Sequence, residues 1–109
     1  MRLSLNKKQL SAAPPLWLKE AGYTFIEDRI SGQGSYVHRL TRDFYPRFHL
    51  YFQEERGTSG QELIIFQLHL DQKKPGYVGY HRHNAEYDGE LVEAEINRLK
   101  KLALPDFFI

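Results

Sequence analysis

Histidine is the residue of this chain best suited to proton transfer or metal binding, and its five copies, at positions 38, 49, 69, 81 and 83, are unevenly spread. His69 stands two residues before Asp71, and His81 two before His83, with Glu86 and Asp88 following. In extended backbone, residues two apart point to the same side, so each pair could present two ligands to one cation. Three or four imidazole and carboxylate groups are what zinc, manganese or iron requires. His69, Asp71, His81 and His83 are therefore the candidate set for a divalent metal such as zinc or manganese, and with it for a nuclease-like hydrolase. Without a metal, any of the five imidazoles could act as general acid or base on a phosphate held by arginine. The competing structural account is a set of ordinary surface histidines. The chain has no cysteine, which removes thiolate nucleophiles, thiolate zinc sites and disulfides from consideration.

A second group of residues suggests recognition. Between Arg29 and His49 lie Arg39, Arg42 and Arg47 with Asp43 as the only acid, and Tyr36, Phe44, Tyr45 and Phe48 are interleaved with them. Arginine offers a planar fork for phosphate and an aromatic ring offers a stacking surface for a base. The bland account is a solvated sheet face on which arginine stems cover apolar surface. The leading expectation is a binding module without catalysis or cofactor. Its surface would comprise Arg39, Arg42, Arg47, His49, Tyr51, Gln67 and His69 on a sheet face, with Tyr77 and Tyr80 from a loop, and its partner would be nucleic acid or another protein. The hydrolase is the rival.

Other chemical signatures are missing. Gly32-Gln33-Gly34-Ser35 lacks the lysine of a P-loop and reads as a turn. Ser59, in Gly57-Thr58-Ser59-Gly60, belongs to a hairpin loop and not to a nucleophile elbow.

The elements that must position these groups follow from periodicity. Phe48, Leu50 and Phe52 alternate with Arg47, His49, Tyr51 and Gln53; Ile64, Phe66, Leu68 and Leu70 alternate with Ile65, Gln67, His69 and Asp71. If Glu54 to Gly60 is the hairpin loop and the strands pair antiparallel, both apolar sets share one face and both polar sets the other. Tyr23 to Ile30 and Tyr36 to Thr41 read as two further strands, with the buried face of the second left open. The opening segment reads as two short helical pieces, one carrying Leu10 and capped by Asn6, the other begun by Pro14 and Pro15 and stopped at Gly22. Glu90 to Ala103 carries the stripe Val92, Ile96, Leu99, Ala103 of a surface helix. Its acids lie first and its bases last, and Asp88 is a candidate cap. Gln72 to Tyr87 has no clear period and reads as a long loop. Phe107, Phe108 and Ile109 are expected to dock on the core or an edge strand, with a partner's groove as the alternative.

The expectation is a single α+β domain over residues 1–109: an antiparallel sheet of three or four strands with a long C-terminal helix and a short N-terminal helix packed on one face. With 109 residues, 41% hydrophobic and 27% charged, one unstapled core is feasible. The formal net charge of +1 is too small to draw the whole molecule to nucleic acid or membrane. No apolar run of signal or spanning length occurs, so a cytoplasmic protein without membrane contact is expected.

Two resemblances bear on this reading. The order helix, three strands, helix is similar to small double-stranded-RNA-binding-like folds, and Leu18 to Tyr23 followed by Gly34-Ser35 resembles HicA-type toxin ribonucleases among them. Those toxins place a catalytic histidine directly after the Gly-Ser-like turn, whereas Tyr36 follows Ser35 here, and the assignment is not made. His69 to Pro75, His81-x-His83 and Glu86 to Glu90, about the C-terminal third, resemble small bacterial proteins without an assigned activity, so that likeness implies no function.

Overall fold

The fold is built outward from the hairpin whose two strands alternate most cleanly. The computed structural model describes residues 1–27, 31–72, 85–86 and 89–105. In chain order the elements are β1 (Arg2–Asn6), a 3₁₀ turn (Lys7–Gln9), α1 (Pro14–Glu20), β2 (Thr24–Glu27), β3 (Gly34–Arg39), β4 (Arg47–Arg56), β5 (Glu62–Asp71), β6 (Ala85–Glu86) and α2 (Glu90–Leu102). The sheet is antiparallel, in the order β1-β5-β4-β3-β2, with the two-residue β6 also paired to β5.

Pairing across the hairpin sets Phe48 against Leu70, Leu50 against Leu68 and Phe52 against Phe66, so the apolar sets do share a face. The strands run further than the sequence reading allowed. They end at Arg56 and resume at Glu62, and the turn is closed by the Gly57 N–H donating to the Gln61 carbonyl at 2.8 Å. Leu3, Leu5, Trp17, Leu18, Val92, Ile96 and Leu99 join Phe48, Leu50, Phe66 and Leu68 in one core, which places both helices on this side of the sheet. A side chain as fully buried as Phe66 or Leu50 contributes about 1.5–3 kcal/mol.

Two expectations need correction. The sheet has five strands plus the short β6, not three or four. The fifth is β1, where Leu3 and Leu5 face the core and Arg2 and Ser4 do not, in residues that the periodicity assigned to no strand. The two helical pieces expected of the opening segment follow it, as α1 and, before that, the 3₁₀ turn. Asn6 caps it as expected, its Oδ1 accepting from the Lys8 N–H at 3.0 Å. α2 begins at the expected residue and ends one earlier, at Leu102, and its N-cap is Gly89, with no side-chain cap; Asp88 lies outside the described residues.

β3 turns Tyr36 and His38, both half-buried, toward the helices, while Ser35 and Val37 on its other side are the buried pair, so neither face of this strand is open. Tyr36 packs its ring near Phe52, and His38 lies beside Tyr23 and Phe48. A polar group crosses the core there. The Tyr23 hydroxyl donates to Glu95 Oε2 at 2.5 Å, Arg98 donates to both Glu95 oxygens at 2.7 and 2.8 Å, and Arg98 Nη2 also donates to the Ala21 carbonyl. Burial would raise the Glu95 pKa, but the hydrogen bonds from Arg98 and Tyr23 outweigh it and hold it below the usual range. This clamp ties α2 to the end of α1. It also places His38 on the helix side, away from the polar sheet face.

Candidate functional site

On the face turned away from the helices, antiparallel register lines up side chains in rows across neighbouring strands. Arg39 on β3 faces Arg47 on β4, which faces Asp71 on β5. In the next row Val37 faces His49, which faces His69. In the third, Tyr51 faces Gln67, which faces Arg2 on β1. Directly opposed side chains sit ~4.5–5.5 Å apart at Cβ, close enough for two imidazoles to meet one carboxylate.

They do meet. Asp71 Oδ1 lies 2.9 Å from His69 Nε2, and Oδ2 lies 3.1 Å from His49 Nδ1 and 3.5 Å from Arg47 Nε. The other nitrogen of His49, Nε2, is 2.8 Å from Ser35 Oγ. The His49 ring also packs at 4.8 Å from the rings of both His69 and Tyr51. The side chains of His49, His69 and Asp71 are only 14%, 13% and 12% exposed. This cluster is therefore not openly solvated, whereas Arg2, Arg39 and Gln67 on the same face are exposed. Ile65 and Val37 are also buried on it, giving it an apolar stripe of its own.

Burial works against a charge on Asp71, yet hydrogen bonds from His49 and His69, and their charge when protonated, overcome it and hold the carboxyl well below its usual range. An ionised carboxylate only accepts, so His49 Nδ1 and His69 Nε2 are the donors toward it. His49 Nε2 is then free to accept from the Ser35 hydroxyl. The chain Ser35, His49, Asp71 thus has the contacts of a nucleophile relay. Ser35, however, is 5% exposed and lies inside β3 rather than on a strand-to-helix elbow, so it serves to orient His49.

The same atoms suit a metal. One ligand atom each from His49, His69 and Asp71 lies within 4.8 Å of the others. Around a tetrahedral ion with bonds of ~2.0–2.1 Å, ligand atoms stand about 3.3 Å apart. The contacts of 2.9 and 3.1 Å between the imidazole nitrogens and Asp71 already approach that spacing. The Ser35 hydroxyl can accept as well as donate. If His49 turns its Nδ1 lone pair to an ion, Nε2–H donates to Ser35 Oγ, as a second-layer partner of a ligating histidine does.

Of the metal set expected from sequence, His69 and Asp71 come together here, and His49 joins them. His81 and His83 lie outside the described residues, as do Tyr77 and Tyr80. Of the expected binding residues, Arg39, Arg47, His49, Tyr51, Gln67 and His69 do share the polar face, while Arg42 is exposed on the loop between β3 and β4. His49 as a ligand and Ser35 as its partner were not anticipated. The signal for His49 was the register, since pairing across a turn centred near Ser59 sets 49 opposite 69.

A groove of about 560 Å³ lies elsewhere, between α1 and the edge strand β2, lined by Pro15, Leu16, Lys19, Tyr23, Thr24, Phe25 and Tyr36. It brings no acid and base together. Comparison with protein-family models, with curated proteins and with solved structures finds no significant match for this chain.

Proposed function

We propose that the protein is a hydrolase dependent on a divalent cation held by His49, His69 and Asp71. The observation that supports this is the convergence of two imidazoles from adjacent strands on one buried carboxylate, with a hydroxyl oriented on the far side of one ring. That convergence reverses the order of the two sequence expectations, because a binding face alone has no need of it.

A divalent cation would supply Lewis-acid polarisation of an ester oxygen and acidification of a water. The chain's own residues do the rest. His49 and His69 donate lone pairs, Asp71 supplies one negative charge, and Ser35 fixes the ring of His49. Arg47, 3.5 Å from Asp71, adds a positive charge. The sum of a dication, one carboxylate and one guanidinium is +2, which favours an anionic ester. Hydrolysis consumes one water: its oxygen bonds to the electrophilic centre, the ester bond breaks, and the leaving oxygen takes up a proton.

The test is elemental analysis after loading with zinc or manganese and dialysis, alongside hydrolysis of bis(p-nitrophenyl) phosphate. One ion per chain is expected, with turnover abolished by EDTA and by His69→Ala and restored to the wild type by metal. Absence of retained metal, or turnover indifferent to EDTA and to His49→Ala, defeats the reading.

A further inference from the structure

Immediately beside this centre, Arg39 and Arg47 stand directly opposite each other on β3 and β4. Asp71, 3.5 Å from Arg47, offsets one of these two like charges, and the other is left for an anion from outside. The Arg39 guanidinium lies 4.0 Å from the centre of the Phe44 ring, and the Arg47 guanidinium 4.6 Å from that of Tyr45. Among the described residues neither Arg39 nor Arg42 has a carboxylate partner. Phe44 is 62% exposed, a large cost for a ring with no structural duty in the core.

We infer that this mouth binds a single-stranded polynucleotide, its phosphodiester between Arg39 and Arg47 and a base stacked on Phe44, so that the phosphodiester is the ester presented to the neighbouring centre. The assignment of substrate rests on the hydrolytic reading above; strand binding itself does not. Guanidinium forks recognise phosphate oxygens, and an exposed aromatic ring stacks on any unpaired base. A duplex keeps its bases stacked inside and offers Phe44 nothing. The partner is thus distinguished by charge and by an accessible π face together.

Fluorescence anisotropy with labelled oligo-dT, oligo-U and a duplex of equal length, in EDTA and at 50 to 200 mM salt, tests this without turnover. Single strands should bind, DNA or RNA according to which oligomer is preferred, with affinity falling steeply as salt rises. Phe44→Ala should weaken binding about fivefold or more, and Arg39→Ala should weaken it and flatten the salt dependence, while Lys101→Ala on the exposed side of α2 leaves both unchanged. No binding at 50 mM salt, equal affinity for the duplex, or an Arg39→Ala curve matching that of Lys101→Ala overturns the inference. Cleavage of small phosphoesters without strand binding overturns it alone; strand binding without cleavage of any phosphodiester in zinc or manganese overturns only the hydrolytic reading.

Discussion

Asp71 carries the most consequence of any single side chain, because two histidines and an arginine converge on it. Its folded pKa lies below its unfolded value near ~3.9. The folded state therefore binds fewer protons, and the stabilisation is complete above about pH 4 and lost as pH falls from there toward the folded value. Glu95 acts with the same sign. Urea unfolding at a series of pH values should show stability falling below about pH 4, with a shallower fall in Asp71→Asn, which keeps only the Glu95 contribution. An unchanged slope would mean that the imidazoles do not hold the carboxylate. Glu95→Ala strands the Tyr23 hydroxyl and removes the carboxylate from the partly exposed Arg98, and should cost about 1–3 kcal/mol. That loss would be read in the same urea experiment at neutral pH.

At the scale of elements, the end of α1 and the start of β2 are fixed by one reversal. The Tyr23 N–H donates to the Leu18 carbonyl and the Gly22 N–H to that of Lys19, the paired bonds of a Schellman ending. Gly22 has φ of 102°, and a Cβ there would stand 3.2 Å from the His38 ring. Gly22→Ala should therefore destabilise by about 1–3 kcal/mol in thermal or chemical unfolding, from backbone strain and from pushing His38 off its place beside Glu95. Leu50→Ala, at the middle of β4, should cost more, about 2–5 kcal/mol, since it opens a void between sheet and helices. The sheet itself explains how the candidate centre is held. Two ligands come from one strand at a spacing of two and the third from its hydrogen-bonded neighbour, so backbone pairing sets the ligand spacing before any side chain moves.

For the whole molecule, the two faces of one sheet do different work. The helix side buries the apolar core, and the other side carries the polar rows with only a narrow buried stripe. No helix among the described residues is long and apolar enough to cross a membrane. An ion that binds only the folded chain adds stability by mass action, about 2.7 kcal/mol at a hundredfold excess over its Kd. Thermal unfolding of the wild type should shift upward by several degrees in zinc or manganese. His69→Ala should show no such shift, and an equal shift in both would place the ion elsewhere.

Which residues share a face was legible in the order of amino acids. Strand side chains alternate, so the spacing of Phe48, Leu50, Phe52, Ile64, Phe66, Leu68 and Leu70 fixed a common apolar side and sent Arg47, His49, His69 and Asp71 to the other. That order also determined both helices, through prolines and a glycine at the ends of α1 and the apolar stripe of α2. It did not reveal β1, where two leucines are too few to establish a period, nor the role of Ser35, which lies at the rim of a glycine-rich turn. Tertiary structure alone decided that His49 stands opposite His69 and that Ser35 and Asp71 close around it. Alternation says which way a side chain points, whereas the register of one strand against the next, set by the Gly57–Gln61 turn, says whom it meets.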